Sequence, residues 1–246
     1  MLSKRNRIVI VTGGYGPERD CSLASGRVVA SALAEKGYIT SSYVANDWFL
    51  PGFPRIADLV FSTVRGRFGS GPLQDQLSRR GIPFSGSSAK TCQLVSDRKR
   101  VRNCLRKYGL PALVSGNGRR GATLPEGTIW NAVVLGNRVL PLIADGDGEP
   151  GENREREFVS MNETRLRRFA LNAFRSVGGF GYGGVRILDS ESDGPIVLDI
   201  DLAPSFAKGS YLQQALAAAG IQVYEYCERV LEHALLSIPR TLRLAG

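Results

Sequence analysis

Apolar residues along this chain fall into two rhythms that alternate through its first hundred positions. Residues 7–12 (RIVIVT) are apolar without a polar residue every second place, the pattern of a strand covered on both faces. Gly13-Gly14-Tyr15-Gly16-Pro17 then makes a turn, and residues 22–36 carry Leu23, Ala30, Leu33 and Ala34 at helical spacing. Residues 39–45 and 58–64 read as further strands, 73–80 as a short helix and 82–85 as a fourth strand. Strands alternating with helices predict a small parallel sheet of the α/β class. A glycine turn between strand and helix can present N–H groups to an anion, or can simply be a tight turn; its spacing is not GxGxxG, so no dinucleotide fingerprint is present.

The second half changes rhythm. Residues 88–108 predict a helix broken near Asp97, with Val101, Leu105 and Tyr108 as its apolar stripe and Arg98, Arg102 and Arg106 four apart on another face. Residues 115–127 (SGNGRRGATLPEG) form a glycine-rich linker, and apolar runs 128–135 and 138–143 flank Gly136-Asn137, a two-residue hairpin signal. Residues 145–157 (DGDGEPGENRERE) form a polar loop whose DGDG lacks the spacing of a calcium loop. A helix over 162–176 follows, packed through Leu166, Phe169, Ala170, Ala173 and Phe174. The runs 185–188 and 196–202 then enclose a polar turn, giving a hairpin, and helices over 211–219 and 223–237 close the chain. The organisation expected is an N-terminal domain over 1–114, a linker over 115–127 and a C-terminal lobe of α+β type over 128–246, with antiparallel strands.

The second strand of that last hairpin carries the sharpest chemistry. Asp199 and Asp201 are two residues apart, so the period of a strand puts both carboxylates on one face. Between Val197, Leu198, Ile200 and Leu202 they are costly unless water, a cation or a partner neutralises them. A turn over 190–194 would bring Arg186 opposite or beside Asp199. The pair is therefore expected either to hold a metal or to form a salt bridge with Arg186.

Composition narrows the field modestly. The chain has 246 residues with 32 Lys and Arg against 23 Asp and Glu, a net charge of +9 that suits phosphates, nucleic acid or merely a basic surface. The basic stripe beginning at Arg98 lacks interleaved aromatic residues and reads as a solvated helix face, so nucleic acid is not the expected partner. Cys21, Cys92, Cys104 and Cys227 show no CxxC spacing, which argues against a zinc site and a disulfide framework and for a reducing cytoplasm. A single histidine, His233, leaves a two-His metal site or a Ser-His-Asp triad without support. The opening MLSKRNRIVIVTGG has too short an apolar run for a secretion signal, and no run approaches membrane-spanning length.

Longer segments resemble the D-alanine–D-alanine ligase family of the ATP-grasp superfamily. GGYGPERDCSLASGRVVASAL is similar to that family's opening GGxSxEREVSLxSG. FSTVRGRFGSGPLQDQLSRRGIPFSGSSAKTCQLVSDRKR is similar to its HGxxGEDGxLQGxLExxGIPYTGS stretch and the DK pair after it. VVLGNRVLPLI and the segment from Gly181 through GPIVLDIDLAPSFAKGSYLQQALAAAG resemble its large-lobe hairpin and its closing motifs. The resemblance implies a Rossmann-like pre-ATP-grasp domain followed by a reduced ATP-grasp lobe. It also implies chemistry in which ATP converts one D-alanine to an acyl phosphate that the amine of a second attacks.

Position by position, the resemblance implies that Glu18 holds the first amino acid's ammonium and Ser210 meets the second substrate's carboxylate. It places Asp199 and Asp201 at the metal pair, and Arg65, Arg98 and Lys99 near the nucleotide phosphates. The departures fall on chemistry. Arg65-Gly66 replaces His-Gly, Gly69-Ser70-Gly71 replaces an acidic turn, and Arg98 stands at the DK lysine. Gly184 stands where the family has an oxyanion-stabilising Arg, and Arg186 where it has a magnesium-binding Asp. The linker over 115–127 replaces the middle ATP-grasp subdomain, with its adenine-clamping lysine and closing loop. No residue is assigned a catalytic role, and no cofactor is assigned outright. ATP and magnesium enter if the ligase reading holds.

Three functions are thus in play. The leading one is a catalytically impaired ligase-like protein acting as a binding or regulatory pseudoenzyme. The alternative is a diverged ATP- and magnesium-dependent amino-acid or peptide ligase. A nucleic-acid-binding protein comes third. The partners expected are a small amino acid or peptide, a second copy of the chain in a homodimer, or a partner protein, and no membrane.

Overall fold

The computed structural model describes residues 2–46, 48–113, 125–145 and 159–237. Most of the expected linker over 115–127 and all but the first residue of the 145–157 loop lie outside them. In chain order the elements are β1 (Arg7–Gly13), α1 (Arg19–Glu35), β2 (Ile39–Ala45), β3 (Leu59–Ser62), α2 (Gly66–Gly69), α3 (Pro72–Arg79), α4 (Ala89–Val95) and α5 (Arg98–Lys107). After them come β4 (Gly127–Leu135), β5 (Arg138–Val139), β6 (Ile143–Ala144), α6 (Val159–Ser176), β7 (Tyr182–Ser190), β8 (Gly194–Asp201), α7 (Tyr211–Ala218) and α8 (Val223–Leu236).

The first sheet is parallel, in the order β2-β1-β3. Its central strand explains the unbroken apolar run. Ile8 and Ile10 point into a cluster with Val29 and Leu33 of α1 and Tyr226, Val230 and Leu231 of α8. Val9 and Val11 point the other way, against Val60, Phe68, Leu73 and Leu77. The fourth strand expected over 82–85 is reduced to one parallel bridge, Val60 to Phe84. Pro83 has no N–H to add to a ladder, and only its carbonyl and the Ser85 amide reach Val60.

The second sheet is antiparallel, in the order β5-β4-β7-β8, with β6 also on β4. Ala132, Val134, Val185, Ile187, Val197 and Ile200 pack with Val101 and Leu105 of α5 and with Leu166, Ala170, Ala173 and Phe174 of α6. From the opposite face Val133, Leu135 and Tyr182 join the cluster that includes Ile8 and Ile10, so one core runs from sheet to sheet. The strand expected over 138–143 is interrupted after Val139, with Pro141 two positions on, and resumes only at Ile143. The helix expected over 88–108 is two helices, α4 and α5. Asp97 caps the second by accepting a hydrogen bond from the Arg100 amide. The fold is α/β, with a Rossmann-like parallel sheet followed by an antiparallel sheet carrying helices, a reduced ATP-grasp arrangement.

One irregularity positions the site. The β7/β8 ladder pairs Arg186 with Asp199 but Ile187 with Val197, so Leu198 is an extra residue in a β-bulge. The bulge lets Val197 and Ile200, three apart, both face the core. It leaves Asp199 and Asp201 together on the other side.

Candidate functional site

The end of β8, the turn after β3 and the start of α1 enclose a cleft of about 210 Å³. Glu18, Arg65, Ser70, Ser96, Asp199 and Asp201 are among the residues lining it. Glu18 is the residue preceding α1, and Gly66 comes close beneath it: a Cβ at Gly66 would stand 3.2 Å from Glu18 Oε2, at a backbone φ of +68°.

Arg65 dominates the geometry. Its Nη1 lies 3.1 Å from Asp201 Oδ2 and 3.3 Å from Oδ1, it donates to the Ala203 carbonyl, and its Nε is 3.6 Å from Glu18 Oε1. Burial works against its charge, but Asp201 and then Glu18 outweigh burial and hold the guanidinium more firmly protonated than usual. Asp201 also accepts hydrogen bonds from the Ala203 amide at 2.9 Å and from the Tyr211 hydroxyl at 3.2 Å. Burial first, and the Asp201 charge second, push the Tyr211 hydroxyl pKa well up, so it remains a donor. The Asp201 carboxylate is fully engaged by protein groups.

Asp199 is in the opposite condition. Its surroundings raise its carboxyl pKa, burial first and the Asp201 charge second. The Ile200 backbone, Arg98 and Arg186 pull the other way without cancelling them. A carboxylate so placed gains from any cation that enters the cleft.

The residues expected from the sequence are therefore brought together in part. Glu18, Arg65, Asp199 and Asp201 share the cleft. Arg98, at the start of α5, is near enough for its charge to act on Asp199, while Lys99 beside it is exposed. Three of the expected residues have protein partners of their own. Arg65 is ion-paired with Asp201 and Glu18. Arg186 does pair with Asp199 in the strand register, but its guanidinium turns out to Asp145, and of the two strand aspartates only Asp201 is salt-bridged among the described residues, by Arg65. Ser210 caps α7: its hydroxyl donates to the Ser205 carbonyl at 2.8 Å and accepts from the Gln213 amide, and it is not among the residues lining the cleft. The glycine turn keeps its first two amides for itself as well, Gly13 N–H on Ser22 Oγ and Gly14 N–H on the Ala45 carbonyl.

Tyr211 was not singled out in the sequence. A Cβ on Gly184 would lie 2.3 Å from its hydroxyl oxygen, so its ring fills the space that a side chain at 184 would need. No spacing rule links a helix start to a strand glycine 27 positions earlier.

The divalent cation that the family resemblance implies is held, at a phosphate site, by one or two carboxylates together with phosphates and water. Of the two strand carboxylates Asp201 is already compensated by Arg65, which leaves Asp199 as the strand acid that could ligate such an ion. Among the described residues no group of three His, Cys, Asp or Glu side chains gathers to hold a metal on protein ligands alone.

No family model matches the chain. Curated relatives do. The D-alanine–D-alanine ligase of Methylacidiphilum infernorum is 28% identical over 93% of this chain and 95% of its own. That of Halorhodospira halophila is 26% identical over 93% and 96%. The alignment with the former runs over 291 positions, more than the 246 residues here, so that relative carries segments this chain lacks. Among solved structures, the D-alanine–D-alanine ligase of Bacillus anthracis complexed with ATP superposes with a TM-score of 0.80 at 16% identity, covering 98% of this chain and 99% of that one. The Coxiella burnetii ligase gives 0.81 at 14%, covering 99% and 97%. Likeness in sequence over nearly the whole chain, the shared fold and the shortened length lead to one conclusion: the chain is similar to D-alanine–D-alanine ligases from end to end, as a shortened and diverged relative of them.

Proposed function

We propose that this chain is a ligase-like pseudoenzyme that binds a small amino acid or peptide in the cleft and acts through binding or regulation instead of ligation. The observation that carries the reading is the Arg65 guanidinium on Asp201 and Glu18. An arginine fixed between two carboxylates supplies the counter-charge that a divalent cation would bring, and it cannot bridge and polarise phosphates as that ion does. Gly184 adds no cationic side chain to the site, and Tyr211 fills the room for one. Losing a single donor to developing negative charge commonly lowers a rate by about two to three orders of magnitude. The cleft itself suits an ammonium group, because Glu18 and Asp199 both line it and burial and the neighbouring Asp201 charge hold the Asp199 pKa up, so that an entering cation would favour its charged form.

The same reading divides the chain into lobes 1–114 and 128–246 joined by 115–127, the last in place of the middle subdomain. It also takes the protein as cytoplasmic and homodimeric. Four free cysteines agree with a reducing compartment, and among the described residues no helix is long and apolar enough to cross a membrane.

Calorimetric titration with D-alanine and D-alanyl-D-alanine, beside an assay for ADP release, tests the proposal. Binding without turnover is expected, and binding should be lost in Glu18→Gln. Sustained ADP release that requires an amino acid and disappears in Asp199→Ala would establish instead the second reading, a diverged ATP- and magnesium-dependent ligase. The gathering of Arg98, Asp199, Asp201 and Glu18 about one cleft favours that reading.

A further inference from the structure

Away from the cleft, α5 and α6 form a basic surface that the amino-acid site does not use. Helix α5 holds Arg98, Lys99, Arg100, Arg102, Arg106 and Lys107 in ten residues with no acidic side chain among them. The helical period sends Val101 and Leu105 into the core and leaves Arg100, Arg102, Arg106 and Lys107 exposed. Among the described residues none of those four takes part in an ion pair. Solvated basic faces are common, and charge alone would not single this one out.

Two further observations do. The sequence pattern put Tyr108 on the buried stripe with Val101 and Leu105, yet the structure leaves it 64% exposed at the end of α5. Tyr108 and Leu110 form one wall of a groove of about 310 Å³, and Asn172, Arg175 and Ser176 of α6 form the other. Cys104, which donates to the Ser176 carbonyl, ties the two helices together there. Arg100 and Lys107, seven residues apart, flank Cys104 on that side of α5. On α6, Arg168, Asn172 and Arg175 follow one another at i, i+4 and i+7, all exposed. Arg175 bonds only the neutral Asn137 amide, and Arg168 has no ion pair among the described residues. An accessible ring in a groove, bordered by cations on both helices, has the chemistry of a stacking platform beside a phosphate track.

We infer that the groove between α5 and α6 binds a single-stranded nucleic acid, with Tyr108 stacking on a base and Arg100, Lys107, Arg168 and Arg175 meeting the phosphates. RNA and single-stranded DNA share this chemistry. A bare polyanion lacks the base, and a duplex keeps its bases stacked away from the ring.

The test is fluorescence anisotropy of the full chain with labelled oligo(U) and oligo(dT) of about 15 nucleotides, a length within the usual range for such sites. Four phosphate contacts on a single strand predict that affinity falls about 50-fold between about 50 and about 200 mM salt. Reversing two charges (Arg100→Glu with Lys107→Glu) should weaken binding at least about tenfold and reduce the log–log salt slope by about 1.4. Tyr108→Ala should weaken it about fivefold or more, and Tyr108→Phe should restore it. All these positions are exposed, so an unchanged melting temperature checks that each variant folds. Absence of binding at about 50 mM salt overturns the inference. So does equal competition by poly-glutamate, equal or tighter binding of a duplex, or a Tyr108→Ala variant that binds like the parent.

Discussion

Arg65 and Asp201, separated by 136 positions in the chain, meet through a two-pronged contact in which Nη1 stands 3.3 and 3.1 Å from the two carboxylate oxygens. The pair joins the turn after β3 to the last residue of β8, and so one sheet to the other. Both side chains are about four-fifths buried, at 21% and 23% exposure, so solvent screens the contact only partly.

Truncating Arg65 should therefore be expensive. Arg65→Met leaves Asp201 and Glu18 without their cation and is expected to lower the unfolding free energy by about 2–3 kcal/mol, below the cost of breaking a wholly buried pair. Arg65→Lys keeps the charge but loses the fork, and should cost about 1 kcal/mol. Adding Asp201→Asn to Arg65→Met should then cost little more, since the two act as one unit. Urea denaturation of the four proteins measures all of this. An Arg65→Met protein as stable as the parent would remove the ion pair from any account of the site.

Asp199 should give the folded state a distinct pH dependence. Its folded pKa is raised above the ordinary 3.8, so the native state holds this proton more tightly than the unfolded chain does. Below the ordinary value both states are protonated and the group contributes nothing. As pH rises through that value the unfolded chain loses the proton first, so stability falls until the native carboxyl has also ionised. Asp199→Asn removes that loss. Its melting temperature should exceed the parent's at neutral pH and converge with it as pH drops to the ordinary carboxylate range. Thermal melts from about pH 3 to pH 8 show the convergence, and parallel curves would refute it.

Gly184 and Tyr211 should behave as a coupled pair. A methyl group at 184 would come within 2.3 Å of the Tyr211 hydroxyl oxygen and 3.0 Å of its ring. Gly184→Ala is expected to destabilise by about 1–3 kcal/mol, the range for overpacking. In a Tyr211→Ala background the same change should cost much less, because the obstructing ring is gone. Chemical denaturation of the two singles and the double gives the coupling. An additive result would mean that the ring moves aside freely.

Much of the fold was legible because its signals are local. The unbroken run around Ile8 to Val11 meant burial on both faces, and each face found its own cluster. Asp97 as a break and Gly136-Asn137 as a turn were equally plain, since capping and turn chemistry act over three or four residues. Where sequence reading went astray, a single residue altered a pattern. Pro83 thinned the fourth strand to a bridge, and Tyr108, at the helix end, swung out of the stripe that its spacing suggested.

Spacing along a few consecutive residues was enough to read the alternation of strands and helices and the two carboxylates on one side of β8, and longer motifs carried the likeness to the ligases. What those carboxylates face came from the packing of distant segments. Arg186 was the nearest cation in the hairpin register and turned to Asp145, whereas Arg65 arrived from another sheet. Which of two guanidiniums reaches an acid depends on how two sheets dock over their shared core, and no local period encodes that. The same docking seats Tyr211 against Gly184.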